Sequence, residues 1–423
     1  MRSAPAAGAL LTCLLALVAL ALPVPAAAQG GAPAPDLQQA AAAILIDARD
    51  GSVILEKDPG ERRSIASTTK LMTALLSLER AEPGDVYAAP AYDALPVESK
   101  IDLATGERMR VSDLLEALLL ESANDAAATL ADGVSGSREA FVEQMNERAQ
   151  QLGLDDTSYA NPIGLDAAGN FSTARDLASL ARRLLRNDRF AAIVDSESAT
   201  LESGNRPRVV DNRNGLVAAY GFVDGVKTGY TSEAGYVLVG AAESRLGARV
   251  ISVVLGEPSE AARDVDTLAL LRHGLGQYRR VRPVVAERAV ASAAIAHRDG
   301  SARLVPARGA SLVVRRGERI RARIDAPDEL EGELVAGTRV GKISIVRGGQ
   351  VVRRVPLLTA ERVPGAGPLR VLADELGAFL VVFIALLVIA GSILLLGRSR
   401  ARRRRDSERA ARRSDRSRAR SGL

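Results

Sequence analysis

The 423-residue chain has one cysteine, two histidines, no tryptophan and only 3% aromatic residues. Cys13 lies inside an N-terminal apolar run, so a chain that has lost that run has no thiol. Thiol chemistry is then excluded, and an oxidising compartment is tolerated without disulfides. Clusters of His and Cys at metal-ligand spacing are missing, which argues against a zinc peptidase, and no metal or other cofactor is expected. His273 falls in a late helical pattern and His297 in a strand-rich region. Neither has a triad context, so both read as core or surface histidines. Scarce aromatics make stacking on bases or sugars a poor fit. Lysine is scarce too: of 56 basic residues only five are lysine, Lys57, Lys70, Lys100, Lys227 and Lys342.

The net charge of +5 is unevenly spread. Residues 398–423 hold 12 Arg against 3 acids, a net of +9, which leaves −4 for the rest. The excess base therefore belongs to a tail, and no basic domain face is expected. At the other end, "MRSAPAAGALLTCLLALVALALPVPAAAQG" has Arg2, an apolar stretch over 9–22 and small residues Ala26-Ala27-Ala28, which reads as a signal peptide over 1–28. A lipoprotein reading fits poorly, because Cys13 is in mid-run and follows Thr12. Residues 376–397, "LGAFLVVFIALLVIAGSILLLG", carry no charge. As a helix they reach about 33 Å, enough for a bilayer. The arginines that follow set the orientation: a single-pass membrane protein, body outside the cell, basic tail over 398–423 in the cytoplasm. That tail reads as a stop signal in contact with the lipid bilayer, and no nucleic-acid partner is expected.

Between these ends the pattern changes once. After a Pro/Gly/Ala linker over 29–38, two apolar runs flank Asp50-Gly51, a hairpin signal. Helical spacing dominates to about residue 190, strands return over 225–257, and a helix closes the region. Strands at both ends with helices between predict an α+β domain over 39–280, its antiparallel sheet joining the first hairpin to the last strands. Short alternating segments over 281–363 predict a small all-β domain, a spacer or a docking surface. A second linker, 364–375, leads to the apolar segment, and no 20–50-residue repeat is present.

The chemistry starts in "RRSIASTTKLMTALLSLERAE", residues 62–82. Leu71, Ala74, Leu75 and Leu78 recur at helical spacing, and Ser64 or Ser67 can start that helix. Ser67 and Lys70, at i and i+3, project from the same face at its N-terminal end. A lone S-x-x-K fits a helix cap beside a surface lysine equally well. The apolar spacing, however, turns Lys70 inward, where burial and the positive helix end lower an ammonium's pKa. Lysine can lose its proton there and arginine cannot. Two partners follow in order: Ser122-Ala123-Asn124 in "LLLESANDAAATL" after an apolar helix, and Lys227-Thr228-Gly229 in "VDGVKTGYTSEAGY" at a strand. Each is weak or moderate alone, but the ordered trio is the β-lactamase and penicillin-binding signature.

With "AAAILIDARDGSVILEKD", "NPIGLD", "ISVVLG" and "LVAGTRVGKISIVRGGQVVRRVPLLTAE", residues 38–365 resemble the low-molecular-mass penicillin-binding proteins that are serine-type D-alanyl-D-alanine carboxypeptidases. The resemblance implies a penicillin-binding/β-lactamase-like transpeptidase fold and trimming of the terminal D-alanine from peptidoglycan stem pentapeptides in cell-wall and cell-shape maintenance. It makes Ser67 the acylated nucleophile, Lys70 its base and Ser122 a proton relay. Asn124 would hold Lys70 or the substrate amide, Lys227 and Thr228 the substrate carboxylate. Gly229 would permit close approach of the strand, and the backbone N–H groups of Ser67 and Tyr230 would form the oxyanion hole. β-Lactams would acylate Ser67, and no deacylating Glu motif is evident, so drug hydrolysis is expected to be slow. Two positions depart from the family: Ile163 replaces a frequent histidine, and Pro258 stands near a frequent arginine, with Arg263 later. Carboxylate binding is accordingly expected to rest on Lys227 and Thr228. A D,D-endopeptidase, a class A β-lactamase and a non-catalytic wall scaffold are the competing readings; the β domain, the membrane segment and the intact trio weigh against the last two.

Overall fold

The computed structural model describes residues 33–420, so the expected signal peptide lies outside the described residues. The chain divides into two compact units after Tyr278. In the first, the expected hairpin forms: β1 (Ala42–Asp47) and β2 (Val53–Lys57) pair antiparallel, and Gly51 between them takes φ 79°, which glycine adopts without strain. β3 (Val223–Thr231), β4 (Gly235–Glu243) and β5 (Arg249–Glu257) complete a five-stranded sheet in the order β2-β1-β5-β4-β3, antiparallel throughout. β1 lies between β2 and β5, and all six of its residues are buried.

The helices between the two halves of the sheet position the site. α1 (Lys70–Arg80) is buried from Lys70 through Ser77 on every face, not on one stripe. A helix enclosed all round is a core helix. α2 (Val111–Glu116) runs into a single π turn, Ala117–Glu121, before α3 (Asn124–Ser135). Leu71, Leu75, Leu114, Leu118, Ala127 and Leu130 belong to one apolar core with β1 and β5.

The second unit is all-β up to residue 363, as expected. Its six-stranded sheet buries Leu304, Ile343, Ile345, Val355 and Leu357, and a two-stranded sheet pairs Tyr278–Val284 with Ala310–Arg315. A continuous helix, Pro368–Arg420, follows, so the expected linker over 364–375 is helical from Pro368 onward. Proline at a first helical position loses nothing, because that N–H has no intrahelical partner. This is the one described helix long and apolar enough to cross a membrane.

The division corrects the charge reading. Residues 1–278 carry 25 Lys and Arg against 37 Asp and Glu, a net of −12, whereas residues 279–363 carry 18 against 9, a net of +9. The −4 outside the tail is two opposite charges cancelling. Any cationic pocket in the first unit must therefore arise from local placement.

Candidate active site

Ser67 sits in a 3₁₀ turn, Ala66–Thr69, that feeds α1. The helix begins at Lys70 rather than at a serine cap, and neither Ile65 nor Thr69 makes a side-chain cap bond, so the Ser67 hydroxyl is not spent on capping. The turn is forced: Ala66 holds φ 48°, and a Cβ on Gly164 would lie 2.1 Å from the Ala66 carbonyl oxygen. Alanine rarely takes that conformation unless its surroundings fix it. Thr68 Oγ1 donates to the Ile65 carbonyl and Thr73 Oγ1 to that of Pro162, both at 2.6 Å, and tie the turn down.

Lys70 is fully buried. Its Nζ lies 3.1 Å from Ser67 Oγ, 2.6 Å from Asn124 Oδ1 and 2.5 Å from the Ile163 carbonyl oxygen. Burial, and then the Lys227 charge, hold its pKa well below the ordinary lysine value, against the opposing pull of Glu98 and Asp125. Once it has lost a proton, the amine has two N–H donors and one lone pair. In that state the two carbonyl oxygens can take both donors, leaving the lone pair toward the Ser67 hydroxyl. Ile163 contributes only its main chain here, so the missing histidine side chain is not needed for this contact.

Ser122 ends the π turn in the left-handed region at φ 62°. That kink separates α2 from α3 and brings Ser122 to the cavity that Ser67 lines, while Asn124 opens α3. Lys227 is buried on β3, and its Nζ donates to the Thr228 carbonyl oxygen at 3.1 Å. Burial, with the Arg213 charge next, pushes its pKa down to about 7, and Glu121 works the other way. A Cβ on Gly229 would meet the Ser67 amide nitrogen at 2.9 Å. Only a residue without one lets β3 lie against that amide.

The cavity, about 420 Å³, is lined by Ser67, Ser122, Thr228, Gly229 and Tyr230. Lys70, Asn124 and Lys227 are not on its wall. They are buried groups that reach it through the side chains they touch or charge. Tyr230 is exposed and its ring lies 4.4 Å from that of Tyr236.

Three further groups stand at the site: in the sequence Arg263 reads only as an arginine beyond the expected position, and the other two are not legible there. Arg263, on the helix Glu260–Gly276, is 3% exposed, lines the cavity and is held by Glu260 and Asp264. Arg213 lines the rim and pairs with Glu121. Carboxylate binding is expected from the sequence to rest more on Lys227 and Thr228; two guanidiniums also line that cavity. The third is Glu98, whose Oε2 accepts from Asn124 Nδ2 at 2.6 Å. Burial alone would raise its pKa, but hydrogen bonds from Tyr92 and Asn124 outweigh it and hold the carboxyl below its usual range. No spacing rule links residues 98, 213 and 263 to residue 67. Among the described residues no three His, Cys, Asp or Glu side chains form a metal-holding group. His273 contacts Gln277, just past the end of its helix, and is not on the cavity wall.

A hydroxyl against a buried amine, beside a second hydroxyl and a strand-borne buried lysine, all around an antiparallel sheet, define a penicillin-binding-type serine hydrolase. Residues 29–259 match the family described as D-alanyl-D-alanine carboxypeptidase, and residues 278–365 match the penicillin-binding protein 5 C-terminal domain. The chain is 31% identical to the D-alanyl-D-alanine carboxypeptidase DacF of Bacillus subtilis (strain 168) over 80% of its own length and 90% of the relative's. It is 32% identical to DacC of Escherichia coli (strain K12), covering 83% and 91%. Penicillin-binding protein 5 of Haemophilus influenzae superposes with a TM-score of 0.57 at 28% identity, over 79% of this chain and all of that one. The chain belongs to the D-alanyl-D-alanine carboxypeptidase family of serine peptidases.

Proposed function

We propose that this protein removes the terminal D-alanine from peptidoglycan stem pentapeptides through an acyl intermediate on Ser67. One observation carries the reading: a fully buried Lys70 amine, its pKa lowered chiefly by burial, at 3.1 Å from Ser67 Oγ. Lys70 Nζ takes the hydroxyl proton as Oγ attacks the carbonyl carbon of the penultimate D-alanine. The developing oxyanion sits between the N–H groups of Ser67 and Tyr230, on the turn and the strand that Gly229 brings together. As the C–N bond breaks, the proton passes from Lys70 by way of Ser122 to the departing amine. Water then adds to the acyl carbonyl, gives its proton to Lys70, and Ser67 Oγ leaves with it. The substrate carboxylate is held by Thr228 and Arg263 on the cavity wall, in the field of Lys227. A β-lactam presents the same carboxylate and a strained amide and acylates the same oxygen.

The domain reading goes with it: a peptidase domain over 39–280, a β domain over 281–363, a signal peptide over 1–28, and the span 376–397 holding the body outside the membrane. The apolar helix and its arginine-rich end support that orientation. Mass spectrometry after β-lactam treatment tests the core of the proposal. The adduct is expected on the peptide carrying Ser67 and absent in Ser67→Ala, with free D-alanine released from pentapeptide only by the unaltered protein. An adduct elsewhere, or D-alanine release by Ser67→Ala, overturns it.

A further inference from the structure

Asn124 is a side chain with two nearly equivalent ends. Its oxygen must face Lys70, because its NH₂ there would set donor against donor. Nothing within Asn124 makes that choice. The other end does: Nδ2 donates to Glu98 Oε2 at 2.6 Å, and a carboxylate can only accept. The carboxylate is itself seated, with Oε2 accepting from the Tyr92 hydroxyl and Oε1 from the Leu95 N–H at 2.9 Å. The same loop takes hold of α3 by its main chain, where the Asn124 N–H donates to the Ser99 carbonyl at 2.8 Å. On either side of Glu98, Val97 and Ser99 form part of the cavity wall. A loop with no regular structure from 89 to 101 thus holds one side of the base's surroundings.

We propose that Glu98 is a positioning residue for acylation: its carboxylate fixes the Asn124 amide so that the amide oxygen occupies one Lys70 N–H and the Lys70 lone pair stays on Ser67. The inference rests on Lys70 being the base. Without the carboxylate the amide can turn, and its NH₂ then competes with the Ser67 hydroxyl for the lone pair. A second effect is electrostatic. Four charged groups act on Lys70: Lys227 and Arg213 disfavour its protonation, and Glu98 and Asp125 favour it. Neutralising Glu98 removes one of the two that favour the ammonium.

The test is the pH profile of acylation by a fluorescent penicillin, followed with the full chain. Glu98→Gln keeps an acceptor for Asn124 Nδ2 and loses only the charge. Its plateau rate is expected within about threefold of the unaltered protein, with the acid limb moved down by about 0.5–1 pH unit. Glu98→Ala loses both, and its plateau is expected to fall about tenfold or more, at the low end of what a misplaced acid–base group costs. A merely structural carboxylate would lower the melting temperature of both variants and leave the acid limb in place. A wild-type plateau in Glu98→Ala, or an unmoved limb in both variants, overturns the inference. Failure of the underlying reading looks different: labelling would persist in Ser67→Ala, or be absent from the unaltered protein.

Discussion

Lys70 and Lys227 sit in the same unit, both fully enclosed and both with a pKa lowered chiefly by burial. What surrounds them differs. Around Lys70 three oxygens converge within 3.1 Å, one of them the Ser67 hydroxyl. Lys227 has a single bond, to the carbonyl of the next residue, and two guanidiniums, Arg213 and Arg263, push against it. In the proposed mechanism the first lysine takes a proton from one partner, the Ser67 hydroxyl. The second is a buried amine with one hydrogen bond, which in the proposed function supplies the field for the substrate carboxylate. Desolvation alone does not decide a buried lysine's role; the neighbours at bonding distance do.

Arginine substitution breaks the comparison most sharply. Lys70→Arg keeps charge and loses basicity, so acylation is expected to fall by about 10³ or more. Lys227→Arg keeps the charge that matters there, and acylation should stay within about tenfold, read by the same labelling assay. Equal losses at both positions would erase the distinction. Next comes Gly229→Ala. With a Cβ 2.9 Å from the Ser67 nitrogen, strand and turn must part. The oxyanion site opens, and a loss of about 10²–10³ in rate is expected. The acyl adduct should still map to Ser67.

The pH dependence of kcat/KM sharpens the contrast. Activity rises as Lys70 loses its proton and falls as Lys227 loses its own. In the free enzyme that alkaline limb is expected near 7 for peptides with a free carboxylate. An acylating ester without a carboxylate should not show it, since it needs no cation; a shared limb would tie both losses to one group. The smallest effect is on stability. With its folded pKa below its unfolded value, Lys227 makes the unfolded chain bind more protons between about 7 and the ordinary lysine range. Stability therefore rises with pH across that window, and the full penalty is present below it. Lys227→Met is expected to stabilise the protein by on the order of 1–4 kcal/mol at or below pH 7. Thermal melts at pH 6 and pH 9 check it: the gain should shrink at the higher pH.

How much of this was readable beforehand follows the distance between partners along the chain. Ser67 and Lys70 are three residues apart on a helical pattern, so their meeting is a matter of local geometry. The hairpin, the antiparallel joining of first and last strands and the all-β second unit follow from period and turn chemistry. By contrast, Glu98 reaches Asn124 from a loop without a pattern, and Arg263 arrives from a helix after the last strand of the sheet. The two opposite unit charges were hidden in one small net value until the division at Tyr278 separated them.

The sequence by itself determined the meeting of Ser67 and Lys70, the order of the three motifs and the apolar segment near the end, because each depends on residue type and short spacing. Only the tertiary structure decided which lysine lies against a hydroxyl and two carbonyl oxygens and which has a single carbonyl partner. It also decided which way the Asn124 amide faces and which arginines reach the wall. Those choices depend on which distant segments meet at one cavity, and on how much water the closed core leaves around each charge.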